Sequence, residues 1–81
     1  MQVAVDISLY PLDADFIPPI KDVIRRLAQY EDIDVEMNRM STQLRGDIDV
    51  VMPALTREIS TTFKNVPKAV FVIKILNNPL R

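Results

Sequence analysis

Apolar and polar positions alternate at the start of the chain. In residues 2–10, Val3, Val5, Ile7 and Leu9 share one side, and Gln2, Ala4, Asp6, Ser8 and Tyr10 the other. That is the period of a half-buried strand, and Pro11 reads as its end. The period then lengthens. Phe16, Ile20, Val23, Ile24 and Leu27 form one stripe of a helix over 13–30. Asp13 or Asp15 can cap its start, and Asp15 is the start that suits the two prolines. That start places Pro18 and Pro19 in the first turn, where main-chain N–H groups lack intrahelical partners anyway. Alternation returns over 32–38 and 40–45, with a short turn around Asn38–Arg39 expected between the two strands.

Gly46 and Asp47 read as a strand break. A second helix follows over 48–64, its stripe being Ile48, Val51, Met52, Leu55, Ile59 and Phe63. Pro53 favours Asp49 over Asp47 as its cap, because proline belongs in a first turn. Residues 69–76 form a last strand, apolar on nearly both faces, and 77–81 read as a loose tail. The order strand, helix, strand, strand, helix, strand predicts a single domain over 1–81. Its class is α+β, a ferredoxin-like βαββαβ sandwich whose four-stranded antiparallel sheet carries both helices on one face. The last strand then lies at an edge beside the first. An edge that is apolar on both sides needs a cover, and a second copy of the chain is the simplest one. A homo-oligomer, dimer or tetramer, is therefore expected.

Composition narrows the chemistry. The 81 residues are 48% apolar, a generous share for a chain whose own core is small. Neither cysteine nor histidine occurs, so disulfides, thiolate metal sites and the commonest general base are excluded. No acidic grouping reads as a metal site, and no cofactor is expected. Ten basic residues against eleven acidic ones give no basic excess for nucleic acid. No stretch is apolar enough to insert into a membrane, and no signal segment is visible, so the cytoplasm is the expected location. Binding without catalysis fits this inventory best.

Polar groups concentrate in "RMSTQLRGDID", residues 39–49. By parity, Ser41, Gln43 and Arg45 share the open sheet face with Asp6, Ser8 and Tyr10 of the adjacent first strand, while Thr42 points towards the helices. The plain reading of that patch is a solvated or dimer-covered face, with Arg45 paired to Asp6 across the strands. Tyr10 is the one aromatic side chain placed on this face, too few for an RNA-stacking platform.

Three segments carry a resemblance: "ISLYPL" (7–12), "DFIPPIKDVI" (15–24) and "STQLRGDIDVVMPAL" (41–55). In order and spacing the chain resembles the YkoF-like thiamine/hydroxymethylpyrimidine-binding domains, from the first strand through the second helix. The namesake has two such repeats and this sequence one. The resemblance implies the same fold and binding of thiamine or its hydroxymethylpyrimidine moiety in uptake or salvage, without catalysis. It points to Ser41, Thr42 and Arg45 in "ST-x-LRG" and to Tyr10 in "YP" as ligand-binding residues. Two other readings stand beside it: a structural or regulatory homo-oligomeric module without a small ligand, and an acylphosphatase-like enzyme. The last is disfavoured, because "YPLDAD" is acidic where such an enzyme carries an arginine-bearing anion loop.

Overall fold

Alternating apolar side chains commit the first strand, β1 (Gln2–Pro11), to the centre of the sheet, with Val3, Val5, Ile7 and Leu9 all buried. In the computed structural model, which describes residues 1–77, β1 is followed by α1 (Ile17–Leu27), β2 (Asp34–Met37), β3 (Thr42–Asp47), α2 (Ile48–Asn65) and β4 (Ala69–Asn77). The sheet order is β2-β3-β1-β4 and every pairing is antiparallel. This is the expected ferredoxin-like sandwich, with β4 at an edge beside β1. Val23 and Leu27 of α1 and Val51, Ala54 and Leu55 of α2 close the core against Leu44 and the buried side of β1.

Several boundaries differ from the sequence reading. Pro11 ends β1 as expected, but from inside the strand: it is the last residue and pairs with Ala69. Gly46 and Asp47 do not break β3, which runs through both. Gly46 serves a close approach rather than a turn. A Cβ there would lie 2.9 Å from the Asp32 carbonyl oxygen and 3.1 Å from Val51 Cγ2. The working cap of α2 is Asp47, not Asp49: its carboxylate accepts the Asp49 N–H at 2.9 Å. Pro53 therefore stands in the second turn, where it costs the Asp49 carbonyl its i+4 donor. The expected cap of α1 also differs. Phe16 holds the N-cap position without a side-chain bond, while Asp13 accepts the Asp15 N–H in the preceding loop at 3.1 Å. The two prolines do fall in the first turn of α1.

The buried stripe of α2 is rotated from the expected one. Ala54, Glu58 and Thr62 are buried with Val51 and Leu55, whereas Met52 and Phe63 are exposed. The cause is α1 and the turn after it, which present Arg26 and Tyr30 to α2 and draw polar side chains into the contact. Of the tail read as loose, Asn77 belongs to β4, and 78–81 lie outside the described residues.

Candidate functional site

The register of β1 opens a cavity beside the sheet. β1 pairs with β4 along its length to Pro11↔Ala69, but its pairing with β3 stops at Ile7↔Thr42. The directions of the main-chain groups follow from two hydrogen bonds. Ile48 N–H donates to the Met1 carbonyl on the β3 side at 2.9 Å, and Leu12 N–H donates to the Lys68 carbonyl on the β4 side at 3.0 Å. In an antiparallel strand successive residues point their N–H and C=O groups to opposite neighbours. The odd-numbered residues of β1 therefore face β3. Beyond Ile7, the Leu9 N–H and C=O and the Pro11 C=O face an edge where β3 no longer runs. Pro11 is tolerated inside the strand for the same reason: the N–H it lacks would have pointed at this open edge.

The 38–41 loop takes the place of the missing strand. The Asn38 side-chain oxygen accepts the N–H groups of Met40 (2.7 Å) and Ser41 (2.9 Å), and Asn38 N–H donates to the Ser41 carbonyl at 3.1 Å. These bonds form an Asx-type turn, the short connection expected around Asn38–Arg39. Between this loop, the free edge of β1 and the apolar face of α1 lies a pocket of about 540 Å³. Ile20, Val23, Ile24 and Leu27 line it from α1, and Phe71 lines it from β4. Tyr10, Leu12, Phe16, Met37 and Met40, all exposed, form its mouth.

Tyr10, Ser41 and Thr42 all line this pocket, together with Ser8. The hydroxyls engaged in hydrogen bonds among the described residues are those of Tyr30, Thr56, Thr61 and Thr62. Those of Ser8, Tyr10, Ser41 and Thr42 have no such partner. Thr42 is nearly buried, with its side chain on the helix side of the sheet as its parity predicts. Arg45 is not brought to this pocket. It lies on the open sheet face, opposite Ala4 and Asp34, in a separate depression of about 410 Å³ that also contains Asp6, Gln43 and Lys74. The expected pairing of Arg45 with Asp6 does not form, because the register sets Gln43 and Lys74 opposite Asp6. The Asp6 Oδ1 atom is buried without a partner.

Sequence reasoning did not single out a second polar cluster, between the helices. Arg26 Nε donates to Glu58 Oε1 at 2.6 Å, and an Arg26 terminal nitrogen donates to the Thr62 hydroxyl at 2.8 Å. The Tyr30 hydroxyl donates to Glu58 Oε2 at 2.7 Å and accepts from Arg57 Nε at 3.1 Å. Burial pushes the Glu58 carboxyl up. The bonds from Tyr30 and Arg26 and the nearby charge of Arg57 outweigh that, so it stays below the usual carboxylate range. The signal was the spacing 51, 54, 55, 58, 62, a helical stripe in which Glu58 and Thr62 continue the buried face. Each carboxylate oxygen accepts one of these bonds, so the cluster ties α1 and the turn after it to α2. Among the described residues no group of side chains could hold a metal ion.

The model of the thiamine-binding protein family matches residues 5–79. The chain belongs to this family. The UPF0045 protein MJ1052 of Methanocaldococcus jannaschii is 33% identical over 76 residues, which span 91% of this chain and 75% of that protein. The crystal structure of MJ1052 superposes with a TM-score of 0.83 at 30% identity, over 99% of this chain and 84% of that one. Protein SP2199 of Streptococcus pneumoniae reaches 0.90 at 22% identity, over 99% of this chain and 90% of that one. TM0486 of Thermotoga maritima, a candidate thiamine biosynthesis/salvage protein, gives 0.84 at 17% identity, covering 93% of this chain and 82% of its own. At those identities the last two show the fold, and family membership rests on the family match and on MJ1052. Within the thiamine-binding family, then, this chain presents an apolar pocket with hydroxyl-bearing residues in its lining and one main-chain edge left open beside it.

Proposed function

We propose that this protein binds thiamine or its hydroxymethylpyrimidine moiety in the pocket at the free edge of β1, in support of vitamin uptake or salvage in the cytoplasm, and that it catalyses no reaction. The observation that carries the reading is that pocket, in a chain of the thiamine-binding family. Its volume suits a small heteroaromatic ligand, and its mix of apolar walls with a few free hydroxyls is what such a ligand requires. The Ser41 and Thr42 hydroxyls and the Leu9 main chain supply donors and acceptors for a ring that carries both.

Calorimetry with each ligand tests the proposal. Binding should be measurable below millimolar concentration. Ser41→Ala and Thr42→Ala should each weaken it by about 0.5–1.5 kcal/mol, roughly two- to twelvefold, with the fold intact. Absence of heat with both ligands at millimolar concentration would sink the reading. It would also promote the other one, a homo-oligomeric structural or regulatory module. The observation favouring that alternative is the open sheet face, where Val70, Val72 and Leu76 are about half exposed beside Tyr10.

A further inference from the structure

The pocket carries an asymmetry of charge that bears on which ligand it takes. Of its lining residues one is ionised, Arg39, and none is acidic. Arg39 stands exposed in the Asn38 turn and forms no ion pair among the described residues. The carboxylates that adjoin lining residues in sequence, Asp6, Asp13, Asp15, Asp22 and Glu36, all lie outside the lining, and Asp13 is turned onto the Asp15 N–H. A fixed cation in a largely apolar cavity therefore has one guanidinium to meet and no counter-charge. An anion at the mouth meets a guanidinium shaped for paired N–H···O bonds.

The inner side of the pocket offers a different kind of recognition. Leu9 faces the open edge with one N–H and one C=O side by side. They belong to a residue that is 7% exposed. Such a pair is normally satisfied by the adjoining strand. An aminopyrimidine carries an acceptor ring nitrogen next to a donor amine, so its edge can replace the missing strand residue with two hydrogen bonds, in the manner of strand addition.

We infer that the pocket selects the free aminopyrimidine alcohol or its phosphate ester over thiamine. The Leu9 main chain reads the amine-bearing edge, and Arg39 favours an anionic substituent over the thiazolium cation. This rests on the function proposed above and sharpens it to a ligand class.

The test is a calorimetric comparison of hydroxymethylpyrimidine, its phosphate ester, thiamine, inorganic phosphate and the pyrimidine lacking its amine. The phosphate ester should bind at least tenfold more tightly than thiamine, with the neutral alcohol between them. Removing the amine should cost tenfold or more. Arg39→Gln should weaken the phosphate ester about tenfold, leave the neutral alcohol within twofold, and abolish the salt dependence of the ester. Thiamine binding as tightly as the ester, or an order of affinities unmoved by Arg39→Gln, would overturn the charge selection while leaving the proposed function standing. Equal binding of the des-amino ring would overturn the role of the Leu9 edge. Inorganic phosphate binding as tightly as the ester would show an anion site without ring recognition and overturn the inference. Failure of every pyrimidine and of thiamine would instead overturn the function on which it rests.

Discussion

Glu58 shows how one residue ties two helices together. Its carboxylate accepts from Arg26 and Tyr30, and the Arg57 guanidinium lies 5.3 Å from the centre of the Tyr30 ring. Removing one member of a buried pair strands the others, at a typical cost of 3–5 kcal/mol. Because the Arg26 side chain keeps some solvent contact, Glu58→Ala should destabilise the fold by about 3 kcal/mol, read by urea denaturation. The pH dependence has a definite sign. The folded-state value lies below the usual 4.5, so this contribution is full above the unfolded value and is lost as pH falls through the folded one. Stability should therefore drop on acidification below about pH 4.5. It should stay nearly flat between about pH 6 and 7, since no histidine is present. In Glu58→Gln the acid limb should be shallower; an unchanged limb would place its origin elsewhere.

At the scale of elements, α2 depends on the strand that precedes it. β3 runs directly into the helix, and the last strand residue, Asp47, is also the N-cap. Its carboxyl is held below the usual range first by the Asp49 N–H and then by the N-terminal ammonium. The preference for Asp49 as cap came from keeping Pro53 in a first turn, a local rule. The tertiary structure overrides it because Ile48, Val51 and Leu55 must reach the core as soon as β3 ends. Asp47→Ala should lower the thermal midpoint more than Asp49→Ala, and Asp47→Asn should recover most of the loss by keeping the acceptor. The reverse order in a melting experiment would show that the helix starts one turn later.

For the whole molecule, two groups stand out among the exposed apolar side chains of the described residues. One surrounds the mouth of the pocket. The other lies along β4, where Val70, Val72, Ile75 and Leu76 are exposed at the sheet edge. An apolar edge of this kind is a liability unless it is covered. The homo-oligomer expected from the sequence would cover it with a second copy. Sedimentation at micromolar concentration should then give a dimer or tetramer, and Val72→Lys should shift it towards monomer without unfolding it. A folded wild-type monomer at that concentration would remove that expectation.

Alternation, helical stripes and turn residues by themselves determined the six elements, their order and hence the sandwich. Each of these signals is local: the period of a strand or helix is carried by the strand or helix itself. They also placed Thr42 on the helix side, because parity within a strand survives any register. The offset between strands was beyond them, since a period of two looks the same after a slip of two residues. That offset decides where β3 stops beside β1. It opens the edge at Leu9, gathers Ser8, Tyr10, Ser41 and Thr42 around one pocket, and leaves Arg45 on the other face. The rotation of α2 was equally hidden. Which side of an amphipathic helix is buried depends on what packs against it, and Glu58 is inside because Arg26 and Tyr30 are there to meet it.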